Sequence, residues 1–199
     1  QTETLRHLGI KENQVINSRS EKHISGDKVI FTSHPWYTKG KFHDQSGKLP
    51  EWSIVWIKNT FLKFKEKFKS KKKIFLDRSD SKYSHCQIIN SKKLKIFLRS
   101  LGFEIIKPTK LSFAKQVYIF WNADFVIGAH GAAFANIIFC RPKTKIIEFR
   151  PFGHPGRNYE RIASVNKLRY RCLKSEKKYL NHNKGDIFVN IKKLKKILN

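Results

Sequence analysis

The 199-residue chain has no methionine, not even at position 1, and only three cysteines. It also lacks any apolar run near the ~20 residues a helix needs to cross a bilayer, and no signal peptide is visible at its start. From the missing methionine, with opening residues that read as the middle of a pattern, a fragment or trimmed piece is expected. Cys86, Cys140 and Cys172 are far apart and form no C-x-x-C, so free thiols in a reducing compartment are expected rather than a disulfide framework or a zinc site. Acidic residues are scarce as well: 15 Asp plus Glu stand against 42 Lys plus Arg, a net charge of +27. Such a balance suits a polyanion partner, whether nucleic acid, an acidic membrane face or a phosphate-bearing substrate. Because the lysines are spread along much of the chain, with denser clusters at 58–73 and 192–196, a lysine-rich composition explains them better than a dedicated nucleic-acid surface. No specific nucleic acid is expected. A cytoplasmic location, with peripheral contact to the acidic inner face of a membrane, fits the charge.

What is present suffices for a core, since 40% of residues are hydrophobic and 13% aromatic. Leu5-Arg6-His7-Leu8-Gly9 reads as a helix end, and Val29-Ile30-Phe31 as a strand. From Thr32 to Pro50, Gly, Pro, His and aromatic residues suggest a long loop holding His34, Trp36, Tyr37, His43 and Asp44. Glu51 to Lys69 fits one long helix, with Ile54, Ile57, Phe61, Phe64 and Phe68 on one face. Ile74-Phe75-Leu76 is a buried strand ending at Asp77-Arg78, and the lysine-rich turn before it marks a boundary between two lobes. Thereafter helices capped by Asn90 and Ser112 alternate with strands at Phe103–Ile106 and Phe125–Ile127. A helix over Tyr159–Val165, a strand over Tyr170–Leu173, an extended piece at Ile187–Val189 and a helix capped by Asn190 complete the chain. No internal repeat is expected. Strands alternating with helices give an α/β fold: a doubly wound, mostly parallel, Rossmann-like sheet.

The central stretch, Ala123 to Arg150, reads strand, glycine turn, small-residue helix, strand, with Pro142 closing the helix. Gly128 and Gly131 let backbone approach a ligand, and the following helix offers N–H groups to an anion. The spacing is not G-x-G-x-x-G, so a dinucleotide fingerprint is not supported. Residues just past successive parallel strands share one edge, and ligands bind there. That edge gathers Arg78, the Gly128–Ala133 loop with His130, and Glu148. Arg78 offers a fork for phosphate oxygens, His130 a contact to phosphate or sugar, and Glu148 an acceptor for ribose hydroxyls. Each has a plainer alternative: Arg78 paired with Asp77 or Asp80, His130 satisfied by backbone, Glu148 paired with Arg150. Their convergence favours a nucleotide diphosphate.

The stretch LSFAKQVYIFWNADFVIGAHGAAFANIIFCRPKTKIIEF resembles the C-terminal half of glycosyltransferase family 61. The resemblance rests on Leu111-Ser112, Gln116, Ala123, His130-Gly131-Ala132, Asn136, Phe139 and Ile147-Glu148. Upstream, DRSDSKYSHCQIINSKKLKIFLRSLGFEII resembles the family's R-x-S…I-I-N…L…L-G-F block. It covers residues 74–173 well and 1–70 more loosely. Two positions depart: Gln87 stands where a basic residue is common, and Ser91 where an acidic one often follows Asn90.

This resemblance implies a two-lobed GT-B type fold and inverting transfer from a nucleotide sugar. The family includes bacterial capsular polysaccharide enzymes and eukaryotic xylosyl- and N-acetylglucosaminyltransferases. Residues 1–70 would be the tail of an N-terminal lobe with an interlobe helix, and 71–199 the nucleotide-sugar-binding lobe. Arg78, Gly128, His130, Gly131, Ala132, Asn136 and Glu148 would line the donor pocket. The donor is substrate, no cofactor is implied, and the partners are a nucleotide sugar and a glycan or polysaccharide acceptor. No metal is expected, since no D-x-D run ends a strand and Asp77-Arg78-Ser79-Asp80 has the wrong spacing. An inverting reaction needs a base for the acceptor hydroxyl, and His34, His43 and Asp44 are the candidates in the loop. Two alternatives stand beside this reading: a basic nucleic-acid-binding α/β module, and a lobe that binds nucleotide or glycan without catalysis.

Overall fold

The computed structural model describes residues 2–17, 19–30, 47–80, 85–178 and 185–198. A short helix α1 (Thr2–His7) and a 3-10 turn at Glu12–Gln14 come first. Helix α2 (Glu51–Leu62) precedes β1 (Lys73–Leu76), α3 (Ser91–Ser100) precedes β2 (Glu104–Ile106), and α4 (Phe113–Asn122) precedes β3 (Phe125–Ala129). A 3-10 helix at Ala132–Phe139 joins β3 to β4 (Lys145–Arg150). Then α5 (Asn158–Val165) leads to β5 (Arg169–Lys174), and α6 (Ile191–Leu198) follows.

The five strands form one all-parallel sheet in the order β2-β1-β3-β4-β5. Parallel strands buried on both faces are mostly apolar, which is why β1 and β3 read as short hydrophobic runs, while β4 sets a buried Glu148 and Arg150 among Ile146, Ile147 and Phe149. Alternate side chains divide between two layers. Ile74, Leu76, Val126 and Ile146 meet α2, α4, α5 and the 3-10 helix through Ile54, Phe61, Val117, Phe120, Ile162 and Ile137. Phe75, Ile127, Ile147 and Phe149 face the other way, under Leu94 and Leu98 of α3 and Leu194 of α6. Helices thus cover both faces, as a doubly wound sheet requires. No helix among the described residues is long and apolar enough to cross a membrane.

Several elements differ from expectation. The long helix stops at Leu62 rather than Lys69. Beyond it Phe64 and Phe68 still pack on the core, but the chain leaves the helix axis and the Glu66 N–H bonds the Ala114 carbonyl at 3.3 Å. No strand forms at Val29-Ile30, which are 72% and 80% exposed; Phe31 lies outside the described residues. With neither side chain buried, nothing offsets the cost of ordering a lone strand. Ser112 does cap α4 through Lys115 N–H, whereas the Asn90 side chain makes no cap and instead bonds the backbone of Val189 on both sides. The expected absence of a repeat also fails: the pattern N-x-K-K-L-K-x-x-L occurs at 90–98 and again at 190–198, and each copy begins a helix of the same layer.

Candidate functional site

The direction of strand order reverses between β1 and β3, so the crevice past their carboxyl ends is the place where doubly wound sheets take ligands. Both strands there run into polar loops. Asp77, only 4% exposed, takes the Lys95 ammonium at 2.7 Å and both the Ser79 N–H and hydroxyl at 3.1 Å. Burial alone would raise its pKa, but these donors more than offset burial and hold the carboxyl below its usual range. The loop is thereby fixed with Arg78 projecting from it.

Arg78 reaches across the switch point. Its Nη1 donates to the His130 carbonyl, and its guanidinium lies against Gly131. A Cβ at Gly131 would fall 1.9 Å from Nη1, and the backbone there has φ +150°, a region nearly confined to glycine. Conformation therefore requires glycine at 131, and a Cβ there would also push the Arg78 guanidinium aside. The Gly131 carbonyl accepts the Tyr159 hydroxyl at 2.6 Å, and burial, reinforced by the charge of Glu148, raises that phenol's pKa and keeps its proton in place.

His130 is held from both ends. Its backbone N–H bonds the Phe149 carbonyl at 2.8 Å, and its Nδ1 lies 2.5 Å from Glu148 Oε1. Glu148 is fully buried in β4, and its second oxygen accepts Arg150 Nε at 3.0 Å, Arg150 Nη2 at 2.9 Å and the Tyr170 hydroxyl. Burial pushes its pKa up, but His130, Arg150 and Tyr170 together bring it below the ordinary value. An ionised carboxylate only accepts, so the Nδ1 proton belongs to His130 and Nε2 is left to meet a ligand. The His154 ring packs on His130 at 4.0 Å between centroids, tilted by 48°, and Tyr159 packs at 5.1 Å. Arg150 also pairs with Glu160 at 3.1 Å, so the network continues into α5.

Arg78, His130, Gly131 and Glu148 are thus brought together. Glu148 sits beneath His130 rather than at the surface, and the plainer pairing with Arg150 is present at the same time. Gly128 is packed, not open: its missing Cβ would lie 3.0 Å from Leu76 Cβ and 3.2 Å from the Phe134 ring. Ala132 is exposed at the start of the 3-10 helix. Asn136 donates to Gln116 Oε1 at 2.9 Å, and Gln116 in turn bonds the carbonyls of Pro108 and Leu111, each at 3.0 Å. The two residues of the family pattern therefore brace α4 against the 3-10 helix. Gln87 and Ser91, the departing positions, line a cavity of about 90 Å³ with Arg78, Ser79 and Cys86. His34, His43 and Asp44 lie outside the described residues.

Sequence reasoning passed over His154, Tyr159 and Tyr170. The rule that located Arg78 also finds His154, since the loop 151–157 leaves β4 at the same edge. The tyrosines gave no such signal, because their hydroxyls reach the site from a helix and from the neighbouring strand. A family model described as Glycosyltransferase 61 matches residues 15–147. No curated protein sequence matches the chain.

Proposed function

Since the chain belongs to glycosyltransferase family 61, we propose that it moves a sugar from a nucleotide-sugar donor to a glycan or polysaccharide acceptor, with the donor diphosphate lying across the β1/β3 switch point. The observation that carries this reading is the contact of Arg78 with the His130-Gly131 loop, beside a histidine whose Nδ1 is fixed by a buried carboxylate. A guanidinium has five donors, and among the described residues the His130 carbonyl accepts from one of its nitrogens. The others suit phosphate oxygens, as do the first N–H groups of the helix starting at Ala132, which have no partners within the helix. Nε2 of His130 supplies a further contact, and Glu148 acts through His130 rather than on the ribose.

In this reading the charge that builds on the leaving diphosphate is met by Arg78 and the helix start, without a resident metal, and transfer is inverting. The base for the acceptor hydroxyl is sought among His34, His43 and Asp44. Residues 71–199 form the donor lobe, and the protein works on the cytoplasmic side. The test is to offer a panel of nucleotide sugars and glycan acceptors and measure nucleoside diphosphate release. Release that depends on the acceptor supports the proposal. Failure of every donor to bind, under conditions where the protein is folded, removes it.

A further inference from the structure

The repeated pattern at 90–98 and 190–198 produces one surface. Its two copies enter side by side: Ile88 and Ile187 form a parallel bridge, with Ile89 N–H on the Ile187 carbonyl at 3.0 Å and Ile187 N–H on the Gln87 carbonyl at 2.8 Å. The Asn90 side chain then clamps Val189 at 2.8 and 3.1 Å, so α3 and α6 start together on the same layer. Neither helix contains an acidic residue. Lys95 is neutralised by Asp77 and Lys193 by Glu176. Lys92, Lys93, Arg99, Lys192, Lys195 and Lys196 are exposed and have no ion pair among the described residues. Apolar side chains stand among them: Ile96 is 68% exposed in the outward stripe of α3, and Ile89 (44%) and Phe188 (41%) border an open cavity of about 710 Å³ that Lys92, Lys93 and Lys192 also line.

We propose that the α3/α6 face docks on an anionic lipid bilayer. Lysines clustered on two helices that carry no acidic residue match the negative surface of such a membrane, and exposed Ile and Phe interleaved with them suit the headgroup boundary. An acidic glycan or nucleic acid would satisfy the lysines but leave Ile96 in water, which favours the bilayer. The face holds without reference to sugar transfer. It adjoins the candidate site, because Ser91 borders both the 710 Å³ cavity and the small cavity beside Arg78.

The experiment is co-sedimentation with phosphatidylcholine vesicles, with and without phosphatidylserine. Binding is expected only with the anionic lipid. Replacing Lys192, Lys195 and Lys196 by Gln should weaken it on the order of a hundredfold, at about 1 kcal/mol per lysine. Ile96→Ser should weaken it roughly tenfold, a loss that charge alone cannot produce. The control is Lys63, Lys65 and Lys67 to Gln, which lie exposed just after α2, on the other layer. Equal loss in the two triple variants would mean that overall charge alone drives binding, and would overturn the proposal. So would an unaffected Ile96→Ser variant, or binding to heparin without binding to vesicles. Circular dichroism confirms that each variant is folded.

Discussion

Replacing Glu148 by Gln removes one negative charge from a fully buried position while keeping the side-chain volume. Arg150, whose side chain is 3% exposed, loses its buried charge partner, and because Gln keeps a single acceptor oxygen, either Arg150 or the His130 Nδ1 proton then faces an amide NH2 donor. Breaking a buried pair by removing one partner costs about 3–5 kcal/mol. Arg150 retains Glu160 at 3.1 Å and the Tyr170 hydroxyl at 2.8 Å, so the lower end, about 3 kcal/mol, is expected. For a chain of this size that is a fall in Tm of about 6–12 °C. Thermal denaturation followed by circular dichroism measures it. The pH dependence has a definite sign. Glu148 has a folded pKa below its ordinary 4.5, so its contribution is complete above that value and fades as the pH falls through the folded one. The gap between wild type and Glu148→Gln should therefore be full at neutral pH and close in acid. A gap below about 1 kcal/mol at neutral pH, well short of what a broken buried pair costs, would refute the reasoning. So would a gap that stays constant into acid.

Gly131→Ala places a Cβ on the Arg78 guanidinium in a conformation nearly closed to alanine; it should destabilise by about 1–3 kcal/mol and abolish nucleoside diphosphate binding, as calorimetry would show. Gly128→Ala, pressed against Leu76 and Phe134, should also destabilise by about 1–3 kcal/mol in urea titrations, but with nucleotide affinity kept, because the added Cβ points into the core. Duplex DNA should bind weakly, without sequence preference, and dissociate steeply with salt; tight binding to one sequence at physiological salt would favour a nucleic-acid role.

Much of this architecture is legible in the residues. Ile74-Phe75-Leu76, Phe125-Val126-Ile127 and Ile146-Ile147 are short apolar runs because parallel strands are buried on both faces, and their parallel direction follows from the helices between them, whereas the strand order does not. That Arg78 and His130 meet was legible because residues past successive strands share an edge. The end of α2 was not legible, since Phe64 and Phe68 keep helical spacing although the backbone has left the helix. The role of Asn90 depends on Val189, 99 positions away, and no local pattern carries that contact. The Glu148–Arg150 pair was foreseeable from residues two apart on one strand face, but the Tyr170 hydroxyl comes from β5 and shows only once the strands are paired.

The most direct test of the central claim is the rise in Tm that a nucleoside diphosphate gives, compared between wild type and Arg78→Ala. A ligand that binds only the folded state must stabilise it, by about 2.7 kcal/mol at a hundred times Kd. The account predicts a clear rise for wild type, a much smaller one for Arg78→Ala and for His130→Ala, and an unchanged one for Arg141→Ala, whose side chain pairs with Asp124 at the opposite edge of the sheet. A rise of the same size in Arg78→Ala as in wild type would show that the diphosphate does not lie at the β1/β3 switch point.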